Sequence, residues 1–281
     1  MKKFRYLIFN YFVLISKKIS FFKLILEKIR NILNIYKRKL NYNLDSQFNR
    51  IYHYHVPKSG GTTLNMTIYK SHGYIFDKNN LHNNFSEQAS NLVSRSIKIN
   101  NKVFLDHNKF LINRGHFYYA WSHYPYHEIF PHSDSFTVTT IRNPVDRIVS
   151  LYKHSLNLTN DSTDKHQKEL FSLKSDNILD FVTKLPVHHR YGSLYFYSKK
   201  LDINEAFENL KTISEIVLDF DFDSIKSTFF ERFSINLEFE RENISEISYE
   251  PTKDEIIVLE NLLEKEIELY LKIKKFVYEK Q

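Results

Sequence analysis

Two stretches of the chain hold residues suited to gripping an oxyanion. Lys58-Ser59-Gly60-Gly61-Thr62-Thr63 puts a cation, three hydroxyls and two adjacent glycines into six positions. Glycines let backbone N–H groups approach a ligand closely, hydroxyls add donors, and the lysine adds charge, so the chemistry is that of a phosphate or sulfate group held at a helix start. The chain has only five glycines, at 60, 61, 73, 115 and 192, and two together mark a backbone demand at this turn. The order differs from the Walker A loop, G-x-x-x-x-G-K-[ST], because Lys58 precedes the glycines. The second stretch, Arg142-Asn143-Pro144-Val145-Asp146-Arg147-Ile148-Val149-Ser150, offers guanidinium forks and a hydroxyl, which suit a phosphate dianion.

The elements that must position these groups are legible around them. Ile51 to Val56 is β-branched and aromatic and reads as a strand ended by Pro57; Leu64, Met66, Ile68 and Tyr69 continue into a helix that Gly73 closes. Ser135 to Ile141 reads as a buried strand, after which Asn143 is an N-cap, Pro144 the first helical residue and Asp146 a carboxylate in the first turn. Arg147, Ser150 and His154 then share one side of the helix, and Arg147 has two readings, a surface ion pair or a ligand contact. Elsewhere the pattern predicts a helix within Phe85–Ile97, strands at 102–105, 110–112 and 216–218, and a long loop over 156–176. Helices are expected at 177–184, 188–199, 205–211 and 224–233. A final helix opens on a Thr252–Glu255 capping box, with Ile256, Leu259, Leu263, Ile267, Tyr270 and Ile273 on its apolar face.

Charge divides the chain. Residues 1–40 carry eleven Lys/Arg and one acid, Glu27, so the net +7 of the 281 residues is +10 on this segment and −3 on the rest. That distribution argues against a nucleic-acid-binding body. Ile8, Phe12, Ile15, Ile19, Phe22, Leu26, Ile29, Leu33 and Tyr36 form an unbroken helical stripe, and the longest uncharged run, Tyr6 to Ser16, is too short to span a bilayer. A coiled-coil seam, packing on the body and an anionic membrane surface all compete for this helix. Lysines around the stripe, with almost no acids to pair them, favour the membrane. The organisation expected is a basic amphipathic segment at 1–45 and one α/β domain at 46–281. The chain has no cysteine, which excludes disulfides and thiolate metal sites and fits a reducing compartment. The thirteen histidines show no H-E-x-x-H spacing, so no metal is expected.

P-K-[ST]-G-[GT]-T-[TS] at 57–63 resembles the 5′-phosphosulfate loop of sulfotransferases that use 3′-phosphoadenosine 5′-phosphosulfate. R-[DN]-P-x-x-R-x-x-S-x-Y at 142–152 resembles their 3′-phosphate site. The likeness is nearest to the carbohydrate sulfotransferases, including the heparan 2-O-sulfotransferase group and bacterial relatives. It implies a P-loop-like three-layer α/β fold with a central parallel sheet and sulfuryl transfer to a carbohydrate hydroxyl, on a polysaccharide or glycolipid. By that likeness Lys58 meets the 5′-phosphate and the bridging oxygen, Ser59, Gly60, Gly61, Thr62 and Thr63 cradle the phosphosulfate, and Arg142 and Ser150 hold the 3′-phosphate. Relatives carry a Gly-His pair upstream of the second motif, which makes His116, after Gly115, the expected base. Its competing reading is a histidine satisfied by backbone in the core. His123 and Asp106 stand in reserve, and His55 reads as structural. Where relatives have a glycine after the last strand, this chain has Asp219-Phe220-Asp221. The expected setting is the cytoplasm, peripheral to a membrane. The rivals are a nucleotide-dependent kinase of P-loop type and a catalytically silent membrane-associated binding protein.

Overall fold

The computed structural model describes residues 42–74, 96–159, 165–239 and 247–280. The expected N-terminal amphipathic helix and most of the one expected at 85–97 lie outside the described residues.

Six strands form one sheet: β1 (Arg50–Tyr54), β2 (Ser96–Ile99), β3 (Lys102–Asp106), β4 (Tyr119–Ser122), β5 (Ser135–Ile141) and β6 (Glu215–Leu218), in the order β2-β3-β4-β1-β5-β6. All neighbours run parallel except β2, which pairs antiparallel with β3 at one edge. The central strand alternates between two apolar layers. On one face Ile51 joins Phe104, Tyr119, Phe136, Val138 and Val217 beneath helices α1 (Gly61–Ser71) and α9 (Asp223–Phe233). On the other, Tyr52 and Tyr54 join Leu105, Ala120 and Ile141 beneath α7 (Gly192–Tyr197), α8 (Ile203–Lys211) and α11 (Glu264–Lys280). A three-layer α/β fold with a mostly parallel sheet results, because a strand buried on both faces must present apolar groups to each. A smaller cluster joins α3 (Pro144–Asn157), α5 (Ile178–Lys184) and α10 (Lys253–Leu262) through Ile148, Tyr152, Phe181, Leu259 and Leu263.

Several elements differ from the sequence reading. Phe110–Ile112, expected as a strand, lies in helix α2 (Lys109–Asn113), because Asn108 caps it by accepting from the Leu111 N–H at 3.1 Å. The polar stretch after the second motif contains helix α4 (Lys165–Ser172). Residues 188–199 split into α6 (Val187–Arg190) and α7, and the closing helix is two, α10 and α11. β4 was not foreseen: Tyr-Ala-Trp-Ser is short and buried throughout, so it shows no alternation.

After β1 the chain builds β2, β3 and β4 to one side and then crosses to β5 and β6 on the other. The order reverses around β1, and in open α/β sheets the crevice beyond the carboxyl ends of the strands at such a point is where ligands bind.

Candidate active site

The first loop sits in that crevice. β1 ends at Tyr54, Lys58 follows in a left-handed conformation (φ 65°), and Gly60 (φ 90°) is the N-cap of α1. No side chain caps this helix and its first turn holds no acid, so neither answers its outward N–H groups or its positive dipole end. Both glycines are packed shut. A Cβ on Gly60 would run into the ring of Phe220, and one on Gly61 into the imidazoles of His55 and His53. Thr63 is buried and Thr62 exposed. Ser59 is 1% exposed, and its Oγ has no hydrogen-bond partner. An orphaned buried hydroxyl costs about 1–3 kcal/mol unless a ligand satisfies it.

Beneath the loop lies a neutral polar layer. His53 Nδ1 bonds Asn65 Oδ1 at 2.7 Å, and the Tyr119 hydroxyl donates to the same oxygen at 2.6 Å, tying β1 and β4 to α1. Burial pushes the His53 imidazole down to about 3 and His55 well below its usual range, so both are neutral at ordinary pH. His55 is therefore a packing group under Gly61.

Two cations meet at this loop, one from within it and one from the end of β5. Burial pulls the Lys58 ammonium down to about 8, and the Arg142 charge adds to that; no carboxylate opposes either effect. Arg142 follows β5 directly, and its Nε is buried without a partner. Its guanidinium lies 4.8 Å from the Phe220 ring centre, a cation–π contact. Phe220 and the preceding Asp219 both take left-handed φ, at 66° and 49°. Asp219 accepts from the Asn143 N–H at 2.7 Å and from the Tyr270 hydroxyl, while its own N–H donates to the Ile141 carbonyl at 2.9 Å. The Asp-Phe pair that replaces a glycine thus holds β6, the cap of α3 and α11 together and sets Arg142 against an aromatic ring. The sequence reading gave these residues no binding role; the signal was the unusual chemistry where a glycine was expected.

Within α3, Ser150 is half-buried, two turns beyond the cap, on the same helix that Arg142 leads into. Arg147 is neither a surface ion pair nor a ligand contact. It is 1% exposed, donates from Nη2 to the Arg190 carbonyl at 2.6 Å, and has Nε 3.5 Å from Glu266 Oε1. Glu266 in turn accepts from the N–H groups of Ser193 at 2.8 Å and Leu194 at 3.3 Å. Gly192 is required there, since a Cβ would stand 2.7 Å from the Arg147 guanidinium.

The expected base is not brought to the loop. His116 precedes β4, whose first residue, Tyr119, pairs with Ile51 in parallel register. A Cβ on its neighbour Gly115 would stand 2.7 Å from the guanidinium of Arg50, the first residue of β1. His116 is therefore at the amino edge of the sheet, and the five residues of β1, roughly 17 Å, separate it from the loop. His123 sits at the other end of the same strand, one residue past Ser122, exposed at the carboxyl edge. Its ring centre is 4.4 Å from that of His55, and its Nδ1 lies 2.8 Å from the His55 carbonyl oxygen. A carbonyl only accepts, so Nδ1 carries the proton and Nε2 is the basic nitrogen of the neutral ring. Asp106, the other reserve, is buried at the end of β3 beside the Tyr69 phenol.

The description "Sulfotransferase family" belongs to a family model that matches residues 43–182, a span holding β1 with its loop, β4 with His123, and the Arg142 motif. Comparison with curated proteins returned no match. The Lys58 loop and the Arg142 motif both fall inside the matched span, and the chain belongs to the sulfotransferase family.

Proposed function

We propose that the protein transfers the sulfuryl group of 3′-phosphoadenosine 5′-phosphosulfate to a carbohydrate hydroxyl. The observation that carries the donor assignment is the pairing of two desolvated cations, Lys58 and Arg142, with an orphaned Ser59 hydroxyl at an uncapped helix start. These groups fit a polyanion: the loop N–H groups, Ser59, Thr62 and Thr63 receive the phosphosulfate, and Arg142 with Ser150 receives the 3′-phosphate. When bound, the donor supplies an activated sulfuryl group on a phosphate leaving group.

Lys58 neutralises charge that develops on the leaving oxygen, together with the N–H groups of the first turn of α1, and these donors are oriented before reaction begins. Phe220 holds the Arg142 guanidinium in place through its cation–π contact. His123 accepts the acceptor's hydroxyl proton on Nε2, while the His55 carbonyl fixes the ring and its tautomer. The carbohydrate acceptor rests on the family resemblance. Supporting it, His107 and half-buried Tyr124 flank His123: His107 Nε2 accepts from the His123 N–H at 3.3 Å, and Tyr124 donates to the His107 carbonyl. The apolar stripe of residues 1–40 and the lysines around it support a place at the cytoplasmic face of an anionic membrane.

Calorimetry with 3′,5′-adenosine bisphosphate, 5′-AMP, and ATP with Mg²⁺ tests the donor. A charged hydrogen bond is worth about 1.5–3 kcal/mol, so the bisphosphate should bind at least about tenfold tighter than 5′-AMP. Equal affinities would remove the 3′-phosphate site, and preference for ATP with Mg²⁺ would favour a kinase.

A further inference from the structure

Glu169 on α4 and His188 and His189 on α6 belong to neither the donor loop nor the reacting groups. One ligand atom from each lies within 4.8 Å of the other two. Glu169 Oε2 stands 3.8 Å from His189 Nε2, and the two imidazole centres are 4.1 Å apart. Such spacing is too long for hydrogen bonding. It is close to what two ligands of one small cation need: at metal–ligand distances of about 2.0–2.2 Å, tetrahedral ligands sit about 3.4 Å apart. Adjacent helical residues ordinarily diverge by about 100°. Here the four-residue helix α6, started by Pro186, brings both rings to one place.

We propose that Glu169, His188 and His189 bind zinc or a similar borderline divalent cation. Two imidazoles and one carboxylate suit zinc, cobalt, nickel or copper, whereas calcium and magnesium take oxygen ligands. His189 is buried, Glu169 half-buried and His188 exposed, so the ion would be anchored from within and keep a position open to solvent. Its effect is to staple α4 to α6. α6 ends at Arg190, whose carbonyl holds the Arg147 guanidinium, so the staple reaches the helix that Arg142 introduces. Sequence spacing alone did not show this, because Glu169 is distant in the chain from the histidine pair.

Untagged full-length protein, stripped with a chelator, is titrated with zinc chloride by calorimetry near pH 7. One equivalent should bind, thermal stability should rise with it, and EDTA should reverse the rise. Cobalt in place of zinc should give the intense visible bands of a four-coordinate site. His188→Ala and Glu169→Gln change side chains that are not in the buried core, and each should weaken zinc binding at least tenfold and abolish the cobalt bands while leaving the metal-free melting temperature near that of the native chain. Absence of stoichiometric binding in the native chain, or binding retained in both variants, would overturn the site.

Discussion

At the scale of single residues, the arrangement separates two histidines that sequence spacing could not. Gly115-His116 has the expected identity but stands at the amino edge of β4, whereas His123 stands at the carboxyl edge. One parallel strand, invisible as a pattern because all four of its residues are buried, decides between them. His123→Ala should lower turnover by about 10²–10⁴-fold with donor affinity nearly intact, and His116→Ala should leave turnover unchanged. Sulfate transfer measured on both variants checks this, and the opposite ranking would return the role to His116. Lys58, by contrast, was legible from its loop, and its environment adds a pH signature. Burial pulls its pKa down to about 8, and a bound phosphate would raise it again. Below that value the free protein already carries the charge that the ligand needs; above it, binding must take up a proton. Affinity for 3′,5′-adenosine bisphosphate should therefore fall as pH rises through about 8, with proton uptake detectable by calorimetry in buffers of different ionisation enthalpy. Lys58→Ala should flatten that dependence. The unfolded chain holds this proton more tightly, so burying charged Lys58 costs the native state stability below about 8, and that cost is relieved as pH rises towards the usual lysine value.

At the scale of elements, local signals placed what they could cap. Asn143 accepts from the Val145 and Asp146 N–H groups, and Thr252 and Glu255 form the reciprocal box, both as expected. Tertiary packing decided the rest. Phe110–Ile112 has strand-like residues, but Asn108 and a one-turn length made it helix. Arg147 looked like a surface or ligand residue because its partner, Glu266, comes from an element more than a hundred residues later. Removing one member of such a buried pair costs about 3–5 kcal/mol. Arg147→Met should therefore lower the melting temperature by about 10 °C or more, on the scale of domains of this size. Arg147→Met combined with Glu266→Gln should recover part of that loss. A variant that melts normally but fails to bind nucleotide would restore Arg147 to the ligand.

At the scale of the whole molecule, Tyr42 is tied to the edge of the sheet. Its ring packs edge-on against Tyr118 at 5.1 Å, and its hydroxyl accepts from the Val103 N–H at 3.0 Å. Among the described residues no helix is long and apolar enough to cross a membrane. The lysine-rich segment before Tyr42, with its apolar stripe, is the part of the chain that we propose rests on an anionic membrane. A chain starting at Tyr42 should melt as the full chain does and lose affinity for anionic vesicles in a flotation assay. Unfolding of the shortened chain would instead make residues 1–41 part of the core.

The Asp219 junction also bears on the order in which the molecule is made. Lys58 and Arg142 leave the ribosome before the ring that orients Arg142, at 220, and before the hydroxyl that fastens Asp219, at 270. Vectorial synthesis therefore delivers the Lys58 loop well before Arg142 is braced. A nascent chain holds its two cations without the clamp until Tyr270 has emerged, so the donor affinity proposed for this site would be complete only once that helix is made.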